Sequence, residues 1–184
     1  MNRAVFLDRD GTLIQEKNFL HRPDDVTLIP GTDLALKRLQ AAGFFLFIVS
    51  NQSGVGRGYF TLADVEAVNQ CLKDALARVG VHFQKIYIAP EAPGVESHGR
   101  KPSPQFLFDA RDEFAVDLAG SFMIGDKLSD LECGWNAGVK ASILVRTGYG
   151  LETEPRISGY PRVPVIVESM PQAADWILAD YLCS

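Results

Sequence analysis

Ala4-Val5-Phe6-Leu7-Asp8-Arg9-Asp10-Gly11-Thr12-Leu13 runs from a short apolar segment straight into two acids and a glycine. An unbroken apolar run reads as a strand buried on both faces, as strands of parallel sheets are. Outward from it, β-branched and aromatic runs recur at residues 44–49, 85–88, 122–124, 142–145 and 165–167, with helical stretches between them. That alternation predicts an α/β fold, a doubly wound parallel sheet covered by helices on both sides. Thr32 is expected to cap a helix containing Leu36 and Leu39 that ends near Gly43. Thr61 with Asp64 signals a second helix that stops by Gly80, and Ser103-Pro104 reads as N-cap and first residue of a third. Residues 128–137, ending at Gly138, and 170–182 complete the set.

The chain has 184 residues, 47% hydrophobic, 22% charged and 10% aromatic, which excludes a disordered tail, a collagen-like rod and a small disulfide scaffold. A chain of this length buries about 70% of its unfolded surface, so residues 1–184 are expected to form one domain needing no metal or cross-link to fold. Eighteen Lys and Arg against 23 Asp and Glu leave a net charge of −5, with no general attraction to nucleic acid or to an anionic membrane. Any phosphate must therefore be bound locally. Cys71, Cys133 and Cys183 are odd in number and far apart, so neither a disulfide framework nor a metal knuckle is read from them. With no apolar run of membrane-spanning length and no signal peptide, a cytoplasmic protein is expected.

In open α/β sheets, sites form beyond the carboxyl ends of the strands. The first exit carries Asp8 and Asp10. Alternation places both carboxylates on one side, where they repel unless a cation or proton separates them; oxygen ligands without thiolates favour magnesium. An acidic turn with a helix cap is the plainer reading of the pair alone. The second exit, Ser50-Asn51-Gln52-Ser53-Gly54-Val55-Gly56-Arg57-Gly58, offers hydroxyl, amide and backbone donors to a phosphoryl group, or is a glycine-rich surface loop. The third leads to Arg100-Lys101-Pro102, two cations before a helix, or a solvated basic pair. The fourth, Gly125-Asp126-Lys127-Leu128-Ser129-Asp130, supplies two more acids, for which simple N-capping by Asp126 or Ser129 is the alternative.

Four strand exits bearing acids, a hydroxyl loop, a lysine and further acids, in that order, resemble the four motifs of the haloacid dehalogenase superfamily of phosphatases over about residues 4–147. With Val145-Arg146-Thr147-Gly148 beyond, the motifs look like the heptose-bisphosphate phosphatase subfamily and its histidinol-phosphatase relatives. The resemblance implies a Rossmann-like core and a magnesium-dependent phosphomonoester hydrolase working through an aspartyl phosphate, with a role in heptose activation for lipopolysaccharide. It implies Asp8 as nucleophile and metal ligand, and Asp10 as general acid/base whose backbone carbonyl faces the metal. Asp126 completes the metal set, Ser50, Asn51 and Lys101 hold the phosphoryl oxygens, and Asp130 gives support from behind. Glu16, Lys17, Asn18, Phe19, Gln52, Ser53, Arg100 and Lys127 fall at substrate-contacting positions.

One departure matters. Relatives commonly carry a zinc loop with cysteines before Arg-Lys-Pro; here the corresponding positions are Ala89-Pro90-Glu91 and Ser97-His98-Gly99. Glu91 and His98 fall short of the four ligands of structural zinc, so no zinc is expected. The intervals from Asp8 to Ser50 and from Ser50 to Lys101 leave no room for an inserted cap domain. The expected partner is a small phosphorylated metabolite, bound by a monomer or weak homo-oligomer. A phosphoacceptor receiver domain is the rival from another class, but its acceptor aspartate would need to lie on a different strand from the acidic pair, and the second exit offers Ser50-Asn51. A polynucleotide phosphatase is disfavoured by the charge.

Overall fold

The structure, a computed structural model, describes residues 1–182; Cys183 lies outside them. Six strands, β1 (Ala4–Leu7), β2 (Phe45–Asn51), β3 (Lys85–Ala89), β4 (Phe122–Gly125), β5 (Ala141–Val145) and β6 (Val165–Val167), form one sheet in the order β3-β2-β1-β4-β5-β6. Every pairing is parallel. From β1 the chain moves to β2 and β3 on one side, and from β4 to β5 and β6 on the other, so the order reverses between β1 and β4. That switch point opens a crevice at the carboxyl ends of these two strands. Leu7 pairs with both Ile48 and Ile124, which brings Asp8 level with the ends of β2 and β4.

The two-residue period of the strands divides the core in two. Val5, Leu7, Leu46, Ile48, Ile124 and Ile143 face the helices α1 (Thr32–Ala41), α3 (Leu62–Ala77) and α7 (Met170–Leu182). Ala4, Phe6, Phe47, Val49 and Met123 face α4 (Gln105–Phe114) and α5 (Leu128–Ala137). Short helices α2 (Ser53–Gly56) and α6 (Gly150–Thr153) follow β2 and β5 and were not expected from the sequence. The expected strands lie within two residues of the observed ones, and no cap domain interrupts either interval among the described residues.

Two capping expectations are corrected. Gly31, at φ 80°, is the N-cap of α1, and Thr32 is its first helical residue, with a buried hydroxyl that finds no partner. Gly31 lies against Pro171, where a Cβ would sit 2.7 Å from the ring, so packing on α7 fixes the entry of α1. Pro104 rather than Ser103 takes the cap position of α4, while the Ser103 hydroxyl accepts the Gln105 N–H at 3.3 Å. At α3 the expected capping box is present: Thr61 Oγ1 accepts the Asp64 N–H at 3.2 Å and Asp64 Oδ2 accepts the Thr61 N–H at 2.7 Å.

Between β1 and α1 the chain folds out as a flap, pinned by the Ile14–Leu28 antiparallel bridge and by Gln15 N–H to Thr27 C=O. Its tip places Asn18 and Phe19 in left-handed conformations, at φ 38° and 62°. The Phe19 ring meets Tyr59 edge-on at 4.9 Å and His21 stacks on Phe60 at 5.3 Å, so the tip rests on the loop after β2. A bulky residue in that region of backbone space persists only where neighbours hold it. Among the described residues, no helix is long and apolar enough to cross a membrane.

Candidate active site

A cleft of about 260 Å³ lies over the switch point, lined among others by Asp8, Asp10, Gln52, Arg100, Lys101 and Lys127. At its floor the Lys101 ammonium, 3% exposed, lies 2.6 Å from Asp8 Oδ1, 2.7 Å from Asp130 Oδ1 and 2.7 Å from the Val49 carbonyl. Burial lowers its proton affinity, but the charges of Asp130 and Asp8 outweigh this and hold it above the ordinary lysine range. Burial likewise pushes Asp8 upward, yet the Lys101 and Lys127 cations hold its carboxyl below the usual value. Asp8 therefore stays ionised, as an attacking carboxylate must.

Asp126 is fully buried. Its Oδ2 accepts the Tyr149 N–H at 2.8 Å, its Oδ1 has no hydrogen-bond partner, and Lys127 Nζ stands 3.6 Å from Oδ1. Burial and the neighbouring Asp8 charge push its pKa up to about 8. A Cβ on Gly11 or on Gly148 would come within 2.2 Å of Asp126 Oδ2, so these glycines are what let both turns close over the acid. Thr147 and Thr153 brace the same turns, donating to the carbonyls of Gly11 and Asp126 at 2.6 and 2.9 Å.

Asp8, Asp126 and Asp130 each offer a carboxylate oxygen within 4.8 Å of the others. An unpartnered buried oxygen, oxygen donors alone and mutually repelling acids fit a hard divalent cation such as magnesium. The reading that a cation separates the Asp8 and Asp10 carboxylates is corrected: Asp10 binds Arg9 and Gln52 instead, and the third carboxylate near Asp8 is that of Asp130. The Asp10 carboxylate is not among the three clustered acids. Asp130 Oδ2 also accepts the Lys127 N–H at 2.9 Å, so this acid ties the start of α5 to Lys101.

Asp126 couples proton binding to folding. Its folded pKa lies above its unfolded value, so the metal-free protein binds more protons folded than unfolded and loses stability as pH rises from about 4 to about 8. A cation competing for that carboxylate reverses the loss. The rise in Tm caused by magnesium is expected to be larger at pH 8.5 than at pH 5.5, and to lose this pH dependence in Asp126→Asn; paired thermal melts measure both.

The remaining expected residues divide by their partners. Ser50 Oγ accepts from Gln52 Nε2 at 2.7 Å, which leaves its own hydrogen to donate, and the same amide donates to Asp10 Oδ2 at 2.9 Å. Asn51 exchanges two hydrogen bonds with the Lys101 main chain, at 3.0 and 3.1 Å, and so clamps the Lys101 turn against β2. Glu16, Asn18, Phe19 and Ser53 line the cleft; Glu16 lies 3.4 Å from Lys127 Nζ, and Asn18 accepts the Tyr149 hydroxyl at 2.9 Å. Lys17 is not brought in: its ammonium donates to the Asp25 carbonyl at 2.7 Å, along the flap.

Arg100 stands at the rim, donating to the Glu91 carbonyl at 2.9 Å. The Ser97 hydroxyl donates to Glu91 at 2.5 Å and accepts the Arg100 N–H at 3.2 Å, while His98 pairs with Asp109 at 2.7 Å. Tyr149 and Ser129 also line the cleft and Arg9 lies behind it, none of them expected. For Tyr149 the signal was its place just after the fifth strand, an exit to which no role was given.

The HAD-hydrolase-like family model matches residues 98–172. A D-glycero-beta-D-manno-heptose-1,7-bisphosphate 7-phosphatase of Escherichia coli K12 is 37% identical over 182 residues, covering 95% of this chain and 87% of that protein. The corresponding enzyme of Thermosynechococcus vestitus is also 37% identical, with 95% and 94% covered. Among solved structures, a D,D-heptose 1,7-bisphosphate phosphatase from B. bronchiseptica, complexed with magnesium and phosphate, superposes with a TM-score of 0.90 at 34% identity, covering 97% of this chain and 99% of that one.

Proposed function

Because the chain belongs to the heptose-1,7-bisphosphate 7-phosphatase family of haloacid dehalogenase-like hydrolases, we propose that it hydrolyses the 7-phosphate of D-glycero-D-manno-heptose 1,7-bisphosphate. The observation that carries this reading is an ionised Asp8 held on Lys101 beside the buried acid Asp126, with further cations, Lys127 and Arg100, at the same cleft. One phosphate reacts over Asp8 while Arg100 and Lys127 suit the charge of the other. Within the cell the enzyme works in the cytoplasm, as a monomer or weak homo-oligomer.

Asp8, Asp126 and the Asp10 carbonyl would hold magnesium, which supplies charge neutralisation at the transferring phosphoryl group. Asp8 attacks phosphorus, and the bond from phosphorus to the sugar oxygen breaks as Asp10 gives that oxygen its proton. Water then attacks the aspartyl phosphate, passes a proton to Asp10, and frees phosphate and Asp8. Lys101 and the Ser50 hydroxyl stabilise the phosphoryl oxygens throughout. In place of zinc-binding cysteines, the Glu91 carbonyl accepts from the Arg100 guanidinium and the Ser97 hydroxyl accepts the Arg100 N–H.

Asp10→Asn is expected to lower kcat by about 10²-fold or more and to let phosphoenzyme accumulate, because the amide cannot accept the proton of water. Turnover at the wild-type rate, followed by phosphate release, would remove Asp10 from that role. The substrate itself is tested by kcat/KM with magnesium for the heptose bisphosphate, its two monophosphates and histidinol phosphate. The bisphosphate should be favoured; a preference for histidinol phosphate would overturn the substrate while leaving the chemistry.

A further inference from the structure

Arg9 is among the largest fully buried side chains, 1% exposed, and has no part in the chemistry above. Its guanidinium donates from Nε to Asp10 Oδ2 at 3.0 Å, from Nη2 to Asp10 Oδ1 at 3.2 Å, and from Nη1 to Asn69 Oδ1 at 2.9 Å. Asn69 is itself 5% exposed and sits on α3, whose Val68 and Leu72 are packed into the core. We propose that Arg9, anchored by Asn69, is a positioning residue that orients the Asp10 carboxyl group for proton transfer to the leaving sugar oxygen. This rests on the role given to Asp10 above.

Three donors reach the Asp10 carboxylate: two from Arg9, and Gln52 Nε2 on Oδ2 at 2.9 Å. A carboxylate offers about four acceptor positions, two per oxygen. Oδ2 is filled by Arg9 Nε and Gln52, so the open position is on Oδ1, which carries the transferable proton. A planar fork fixes both the position and the plane of the carboxyl group, whereas an ammonium would supply the same charge without fixing the plane. The plane of the proton donor is thus set from the core through α3, with Gln52 holding Oδ2 from the cleft side.

The leaving group provides the test. Alkyl oxygen needs a proton as it departs, while p-nitrophenolate leaves as a stable anion. In kcat/KM, which reports the first phosphoryl transfer, Arg9→Lys is expected to lower the rate on the heptose bisphosphate by about tenfold or more and on p-nitrophenyl phosphate by less than about twofold. KM for either substrate should hold. Asn69→Ala, which leaves the fork in place but unanchored, should shift the same ratio in the same direction, and it carries the test if Arg9→Lys fails to fold. In an Asp10→Asn background, Arg9→Lys should have no further effect on the sugar substrate.

Equal losses on both substrates, or an undiminished effect of Arg9→Lys in the Asp10→Asn background, would overturn the proposal. Asp10→Asn measured alone separates the two ideas. If it too slows both substrates equally in kcat/KM, the acid role of Asp10 fails and the proposal falls with it. If it discriminates between them and Arg9→Lys does not, only the proposal fails.

Discussion

Asp8→Asn is expected to reduce magnesium-dependent phosphate release by at least about 10³-fold while the protein keeps its fold. The amide is nearly isosteric but is no nucleophile toward phosphorus. Folding should survive because Lys101 retains Asp130 and the Val49 carbonyl as acceptors. Loss of the Asp8 charge also relieves the repulsion that helps raise Asp126, which offsets part of the lost ion pair. A stability change of about 1 kcal/mol or less follows, readable by denaturant titration beside the rate. A variant that releases phosphate at a tenth of the wild-type rate would put the nucleophile elsewhere.

Lys101→Met carries the larger cost to stability. Its ammonium is the common partner of Asp8, Asp130 and the Val49 carbonyl, and removing it leaves buried carboxylates unpaired. A loss of about 3–5 kcal/mol is expected, together with a fall in kcat of about 10²-fold or more. Because the folded pKa of Lys101 is raised, its contribution is fully present below about pH 10.5, its ordinary value, and is lost only above that. The carboxylates left behind lose the cation that held their pKa values down, so the penalty is expected to be larger at pH 8 than at pH 6. By contrast, removing the exposed Lys85–Glu113 pair should change stability by less than about 1 kcal/mol. Urea titrations of both variants make the comparison; near-equal stabilities would contradict the clasp assigned to Lys101.

The sequence made the sheet legible because strands buried on both faces are written as unbroken apolar runs, and because Gly138, at φ 76°, marks the end of α5 in residue type as well as in backbone. The entry of α1 was less legible: Gly31 caps it on account of Pro171, a contact between residues 140 apart in sequence. Asp8, Ser50, Lys101 and Asp126 are brought to one edge because each lies at the carboxyl end of a strand or on the loop that follows it, and parallel strands gather those ends together. Tyr149 escaped because its N–H, a group every residue but proline has, makes the contact with Asp126. Lys17, which the resemblance puts at a substrate-contacting position, bonds along the flap to the Asp25 carbonyl, next to the left-handed turn at Asn18 and Phe19. Alternation put Asp8 and Asp10 on one side, but the chain leaves the strand at Leu7, and the buried Arg9 fork claims the second carboxylate.

Transfer of phosphate to Asp8 is the central claim, and borohydride trapping tests it most directly. An acyl phosphate is reduced to the alcohol, so a phosphorylated aspartate becomes homoserine. Asp10→Asn protein, incubated with magnesium and p-nitrophenyl phosphate, acid-quenched and reduced, should yield homoserine at position 8 in its peptide map, and none when substrate is omitted. An unmodified Asp8 in protein that has released p-nitrophenol, or homoserine at another aspartate, would contradict it.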